Sequence, residues 1–216
     1  MKGLLVKDLC LMATQKRFFI LILGVGALLT FGGQDIIFVM GYMMMVFGLF
    51  SGSTISYDDM NHGMGFLMTL PVSRKQYVRS KYLFMFLMIA VSLVVSVLFS
   101  FLGSTVGTVM LPQDMVGTAI VISAVMAVLV SVFMVLIFKF GAEQARVVIA
   151  VLAGIGFFVA WIFQFIGEKM DGKLLINLNI ANLSNEVVVL GCVGIAAFVI
   201  LVTYIIAVKV MENKEF

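Results

Sequence analysis

Residues 82–110 read YLFMFLMIAVSLVVSVLFSFLGSTVGTVM, a stretch without an Asp, Glu, Lys, Arg or His. About 20 consecutive apolar residues suffice for a helix to cross the hydrocarbon core of a bilayer. The whole 216-residue chain is 63% hydrophobic and only 12% charged, which leaves too little polar surface to cover a soluble domain. The stretch therefore predicts a transmembrane helix, and the composition predicts an integral membrane protein.

Five further apolar stretches alternate with polar segments along the chain. A polar turn from Gly32 to Asp35 separates the first two of them. The sequence thus predicts one all-α membrane domain over residues 1–216, with six transmembrane helices. The predicted spans are 18–33, 36–56, 82–110, 116–138, 147–166 and 187–208.

Lys and Arg residues are divided unequally between the two sides of these spans. The side with Lys169 and Lys173 carries only those two, and the other side carries the remaining twelve. Because cytoplasmic loops hold the excess of positive charge, we expect the richer side, with both termini, to be cytoplasmic. Its segments are residues 1–17, 57–81, 139–146 and the tail after residue 208.

Residues 1–17 have the pattern of an amphipathic helix lying in the cytoplasmic interface. On a helical wheel the residues of one arc are apolar: Leu5, Val6, Leu9, Cys10, Met12 and Ala13. The opposite side holds Lys7, Asp8, Thr14 and Gln15, together with Leu4 and Leu11. Two alternatives stay open, a basic flank that only fixes orientation and a secretory signal peptide with an unusually long charged region.

Charged groups are missing from all six predicted spans. Proton-driven carriers and voltage sensors need such groups in the bilayer, so both classes are disfavoured, whereas a sodium-coupled carrier or a passive pore stays open. His62 is the single histidine, and Cys10 and Cys192 lie in unlike segments. The segment 167–174, GEKMDGKL, has the spacing of a phosphate-binding loop but ends in Leu instead of Ser or Thr. We therefore expect neither an enzyme nor a chain that binds a cofactor itself.

The longest connection on the basic side is residues 57–81, YDDMNHGMGFLMTLPVSRKQYVRSK. Asp58, Asp59 or Asn61 can cap a short helix there. Pro71 then ends that helix, because the residue before a proline disfavours helical geometry. Apolar residues recur at helical spacing within it, at Met60, Met64, Leu67 and Met68. Such a helix is either a docking element for a protein partner or an interfacial helix that only lies on lipid headgroups.

A second helix is predicted directly after this short one. Ser73 and Gln76 have the spacing of a capping box, so the helix begins at Arg74 and runs into the span at 82–110.

The loop resembles the first cytoplasmic loop of ABC transporter permeases of the type 2 export family. The resemblance lies in an acidic residue four positions before Gly63, in the stretch Leu70-Pro71-Val72-Ser73-Arg74, and in Tyr77-Val78 and Lys81-Tyr82. The family has Glu where this chain has Asp, so both Asp58 and Asp59 remain candidates for the acidic contact. Chains this short are similar to Gram-positive exporters of amphipathic peptides, including phenol-soluble modulin exporters, which implies a bacterial plasma membrane.

This resemblance implies a dimer of permease chains, each bound to a separate cytosolic ATPase that carries ATP and magnesium. The substrate would be an amphipathic or lipophilic compound, such as a peptide toxin, an antimicrobial peptide or a drug, moved out of the cell. The loop helix and the turn at 140–146 would couple the ATPase to the spans. The implied coupling residues are Asp58, Asp59, Met60, His62, Met64, Leu67, Met68, Pro71, Arg74, Lys75, Gly141, Glu143 and Arg146.

Two glycine pairs at G-x-x-x-G spacing, Gly48 with Gly52 and Gly103 with Gly107, permit close helix packing. They can join two chains or pack spans within one chain, and the second role is favoured because such pairs are common. Two other functions stay open, a substrate-binding membrane subunit of a vitamin importer and an immunity protein that sequesters a peptide without moving it.

Overall fold

The computed structural model describes residues 2–60, 63–69, 72–107, 115–141, 144–145, 147–148 and 185–213. Every element of regular secondary structure within these ranges is a helix, which confirms the all-α class. The helices are α1 (Lys2–Thr14), α2 (Lys16–Phe31), α3 (Ile36–Asp59), α4 (Gly63–Thr69), α5 (Arg74–Val106), α6 (Met115–Phe140) and α7 (Asn185–Asn213).

Four of these helices are long and apolar enough to cross a bilayer, namely α3, α5, α6 and the part of α7 from residue 189 onwards. Helices α1 and α2 meet at an angle of 66° and together could supply a fifth crossing. The chain is therefore a multi-pass membrane protein. The predicted span 147–166 lies almost entirely outside the described residues, so the count of six stays a prediction.

The polar turn between α2 and α3 is confirmed. Gly33 has a φ of 76°, in the left-handed region that glycine adopts without steric cost. The N–H groups of Gly33 and Gln34 donate to the carbonyls of Thr30 and Leu29, which is the hydrogen-bond pattern of a Schellman motif. This motif ends α2 and lets the chain reverse into α3.

Helix α5 is much longer than a membrane crossing requires. Its 33 residues extend about 50 Å at 1.5 Å per residue, against a hydrocarbon core of about 30 Å. It begins at Arg74, where Ser73 and Gln76 form both hydrogen bonds of the predicted capping box. That prediction is confirmed, and α5 therefore continues without a break from the loop into the membrane.

Helices α3 and α6 pack together through the first glycine pair. A Cβ atom on Gly48 would lie 2.5 Å from Val130 Cγ2, and one on Gly52 would lie 2.6 Å from Phe133 Cε1. Both distances are too short for any real side chain, so the absence of a Cβ sets how closely the helices approach. This pair packs helices within one chain.

Gly107, from the second glycine pair, has a different role in the structure. Gly107 is the C-terminal cap of α5, with a φ of 76°, and a Cβ there would meet nothing within 4 Å. Gly103 is buried within α5. Gly107 thus ends a helix, a role that the G-x-x-x-G spacing does not distinguish from packing.

Helix α1 exposes part of its apolar arc and buries part of its polar side, the reverse of an amphipathic helix on a soluble protein. Val6 and Leu9, from the apolar arc, are exposed, whereas Leu4 and Asp8 from the other side are buried against the rest of the chain. The exposed arc suits a lipid interface. The buried Asp8 requires a partner inside the protein, which is described below.

Candidate functional site

Helix α4 lies where the short loop helix was predicted. Its face formed by Met64 and Leu67 is buried, with Met64 only 3% exposed, in a core cluster that includes Tyr77 of α5 and Met211 of α7. These two side chains are therefore occupied within the chain and are not presented to a partner groove, contrary to the sequence-based interpretation. Phe66 on the same helix is 73% exposed.

The side chains of four other predicted coupling residues of this loop are either exposed or outside the described part of the structure. Met60, at the end of α3, is exposed. His62 and Pro71 lie outside the described residues, as does the side chain of Met68. Met60 and Phe66 are thus exposed apolar side chains that this loop can offer to a partner.

The two acidic candidates differ sharply in environment. Both belong to the last turn of α3, which runs to Asp59, so neither caps α4 as predicted. Asp59 is exposed, whereas the side chain of Asp58 is 8% exposed and points into a group of ionised residues. Asp59 is consequently the carboxylate available for a contact outside the chain.

A buried ion cluster joins three helices at this end of the bundle. The Lys81 ammonium of α5, 1% exposed, donates to Asp8 Oδ1 of α1 at 2.8 Å and to Thr54 Oγ1 of α3 at 3.0 Å. It also lies 2.8 Å from Asp58 Oδ2. Three helices that are far apart in sequence therefore meet at one nitrogen atom.

Two more side chains complete this cluster, hereafter the Lys81 cluster. The Tyr77 hydroxyl donates to Asp58 Oδ2 at 2.9 Å, and the half-exposed Lys7 donates to Asp58 Oδ1. The two lysines and two aspartates balance in charge. Asp8 Oδ2 is buried without a hydrogen-bond partner, so the carboxylate of Asp8 depends on Lys81 more than that of Asp58 does.

Charge compensation explains how this cluster can be buried. Removing an ionised group from water costs several kcal/mol, and only close partners with good geometry offset that cost. Removing one partner leaves an uncompensated charge and is strongly destabilising. The Lys81 cluster is thus a group in which each charge requires the others.

Arg74 and Lys75, both proposed from the sequence as ATPase contacts, lie against the end of α7. Arg74 Nη1 donates to the carbonyl of Met211 at 3.1 Å and to that of Glu212. Cations stabilise the carbonyl end of a helix, where backbone acceptors lack partners. Lys75 Nζ lies 3.3 Å from Glu212 Oε1 in an exposed ion pair. These contacts fix the end of α7 to the start of α5.

The second predicted coupling turn is described in part. Gly141 has a φ of 82° and ends α6, and the N–H of Ala145 donates to its carbonyl. Ala145 is fully buried in the core cluster that also holds Met64. Glu143 and Arg146 lie outside the described residues. The described part of this turn therefore packs on the same core as α4.

An apolar cavity of about 620 Å³ lies between α5, α6 and α7. Phe86, Ala124 and Ala197 are among its lining residues, and the polar groups of Arg79, Tyr82 and Tyr204 border it. Among the described residues, no group of three His, Cys, Asp or Glu side chains could hold a metal ion. The phosphate-loop-like segment 167–174 lies outside the described residues.

Sequence reasoning missed the centre of this site. The sequence assigns Lys81 to the basic loop and to the stretch that carries the family resemblance, and Asp8 to the polar face of a helix. A signal was present, since Tyr77 and Lys81 are four residues apart and share one helix face, while Asp8 lies beside Leu4 and Leu11. Spacing alone does not show that these groups are buried, because burial depends on which helices pack against them.

A comparison with known families identifies the chain as a whole. The family model described as ABC-2 family transporter protein matches residues 3–212. Neither a curated protein nor a solved structure matches the chain.

Proposed function

Since this chain belongs to the ABC-2 transporter family and is therefore a membrane permease subunit of an ABC transporter, we propose that a separate ATPase drives it by docking on α4. The observation that supports this proposal is the division of α4 into two faces. Met64 and Leu67 fasten the helix to the bundle, while Phe66 projects away from it. An exposed aromatic side chain on a short, firmly seated helix is typical of an interface anchor.

The contact would be completed by polar groups around Phe66. Asp59 and Met60 end α3 beside α4 and are both exposed. Arg74 and Lys75 would then have a bracing role toward α7 rather than a primary role at the ATPase. Gly141, Glu143 and Arg146 stay candidates for a second contact at the neighbouring turn.

The packing beneath α4 supplies a route for displacement into the spans. Met64 and Leu67 contact the same core as Tyr77, which lies in the first turn of the 33-residue helix α5. Arg74 joins that turn to the end of α7. A push on α4 would consequently act on α5 and α7 together.

The same contacts support the proposed orientation. Asp8, Asp58 and Lys81 meet at the end of the bundle where α4 lies, and Met211 packs there as well. Both ends of the described chain are thus near this end. With the excess of Lys and Arg on that side, the proposed location is the cytoplasm, where ATP and magnesium would be bound by the ATPase.

An amphipathic or lipophilic substrate is proposed because the described spans expose or enclose mainly apolar surface. The cavity between α5, α6 and α7 is lined by apolar side chains, with Arg79 as a cation at its border. Such a surface would accept the apolar part of a peptide or drug and would not replace the hydration of a sugar or metal ion. Export, by a pair of these chains, is the proposed direction and assembly.

The test is affinity purification of the detergent-solubilised chain after expression with its genomic neighbours. We expect an ATPase to be recovered with the wild-type chain, and the variant Phe66→Asp to lower that recovery by about tenfold or more, as loss of an interface anchor does. The matched control is Phe31→Asp, since Phe31 is also exposed but lies at the opposite end of α2. Equal recovery with both variants would contradict docking at α4, and no ATPase with any chain would contradict the ATP-driven function.

A further inference from the structure

Lys81 occupies an unusual position between the proposed docking helix and the beginning of the chain. Its ammonium contacts Asp8 of α1 and Asp58 of α3 from within α5. We infer that Lys81 is a positioning residue that makes α1 move together with α3 and α5 when α4 is displaced. This inference rests on the proposed function, because it assumes that the ATPase acts on α4.

The Lys81 cluster is connected to α4 through an apolar core that both share. Tyr77 belongs both to the cluster, through its hydroxyl on Asp58, and to the core in which Met64 is buried. Tyr77 and Lys81 lie one helical turn apart on the same face of α5. A displacement of α4 can therefore reach Lys81 through this shared core and the side chain of Tyr77.

Directional contacts distinguish this connection from ordinary apolar packing. Apolar side chains can slide over one another at small cost, whereas a buried ammonium must keep its carboxylate partners within hydrogen-bond distance. Asp8 Oδ2 has no hydrogen-bond partner, so movement of Asp8 away from Lys81 would leave its carboxylate unsupported. Helix α1 is thus tied to α5 by a directional contact in addition to its apolar packing.

Helix α1 is in turn connected to α2 and to the end of α3. Helix α1 meets α2 at 66°, with Gln15 between them, and the Gln15 amide donates to the Tyr57 hydroxyl in the last turns of α3. A rotation of α1 would therefore be passed to α2, the first predicted crossing. In this arrangement one docking helix acts on α1, α2, α3 and α5 at once.

The experiment measures amide hydrogen exchange in nanodiscs, on the permease bound to its ATPase, with and without magnesium and a non-hydrolysed ATP analogue. In the wild-type complex, we expect the nucleotide to change exchange rates in both α4 and α1 by about fivefold or more, the lower end of typical allosteric coupling. In the variant Asp8→Leu/Lys81→Met, the response of α4 should persist and that of α1 should be lost. Asp58 keeps Lys7 and Tyr77 as partners in this variant, so no buried charge is left alone.

Two further variants make the result decisive. Lys139→Met removes an exposed lysine at the end of α6 whose ammonium lies over the Phe140 ring and is not part of the Lys81 cluster, and should leave both responses as in wild type. Asp8→Asn keeps an oxygen for Lys81 but loses the charge, and it should weaken the response of α1. It serves as the test if the double variant does not fold.

The possible outcomes separate the inference from the proposed function. A full response of α1 in the double variant or in Asp8→Asn would overturn the positioning role, as would a wild-type complex in which only α4 responds. A wild-type complex in which α4 itself is unaffected by nucleotide would instead overturn docking at α4. Loss of the nucleotide response in α1, with the response of α4 retained, supports the inference. A merely structural role of Lys81 would change exchange in α1 equally with and without nucleotide.

Discussion

Replacing Lys81 by methionine should destabilise the protein far more than removing an exposed lysine. In Lys81→Met the carboxylate of Asp8 remains buried and loses its nearest cation, because Lys7 is 3.8 Å from Asp8 Oδ1 and is itself half-exposed. Breaking a buried ion pair in this way costs about 3–5 kcal/mol. That cost corresponds to a decrease of roughly two to four orders of magnitude in the ratio of folded to unfolded protein.

The structure provides the matched control. Lys75→Met breaks an ion pair with Glu212 whose side chains are 68% and 45% exposed, and such pairs contribute about 0.2–1 kcal/mol. The double variant Asp8→Leu/Lys81→Met removes both buried charges and should recover most of the lost stability, because apolar replacement of a whole pair is often neutral or stabilising.

Reversible unfolding in mixed detergent and SDS micelles, followed by circular dichroism, measures all three variants. The expected order of stability is Lys75→Met close to wild type, the double variant next, and Lys81→Met lowest. If Lys81→Met and Lys75→Met differed by less than about 1 kcal/mol, the buried cluster could not have the energetic role described here.

Two smaller predictions concern packing and capping, and the same unfolding assay measures both. Gly52→Ala should cost about 1–3 kcal/mol, because its Cβ would lie 2.6 Å from an aromatic carbon of α6. Gly194→Ala, where a Cβ meets nothing within 4 Å, should be neutral or stabilising, and equal effects of the two would contradict the α3–α6 contact. Ser73→Ala should cost about 0.5–2 kcal/mol by removing the cap that bonds Gln76 N–H. Ser104→Ala, an exposed hydroxyl within α5, should change stability much less, and a similar loss there would argue against the cap.

Local patterns in the sequence were sufficient for the elements that depend on neighbouring residues. The capping box at Ser73 and Gln76 and the turn at Gly33 are formed by groups three to five positions apart, so spacing alone could predict them. Hydropathy located the described spans for the same reason, since a membrane crossing depends on the composition of one continuous stretch. The predicted start of α5 at Arg74 is confirmed, whereas its end at Val106 comes earlier than the predicted end of the span at residue 110.

Contacts between distant residues could not be predicted in this way. Asp8 and Lys81 are 73 positions apart, and each has the composition of an ordinary surface charge until α1 is placed against α5. The prediction that the Met64 and Leu67 face of α4 points toward a partner was wrong for a related reason. Helical spacing grouped Met64 with Leu67 correctly, but it cannot state whether that face contacts the chain's own core or a partner. Gly107 likewise differs from Gly52 only by its conformation, which G-x-x-x-G spacing does not contain.

Photo-cross-linking from α4 tests the central claim most directly. Benzoylphenylalanine placed at Phe66, in the full chain expressed with its genomic neighbours, should form a cross-link to the ATPase upon illumination. The same group placed at Phe31, an exposed phenylalanine at the far end of α2, should form none. Efficient cross-linking from position 66 alone is the predicted result. An ATPase that co-purifies but is never cross-linked from position 66, or is cross-linked equally from position 31, would contradict the account.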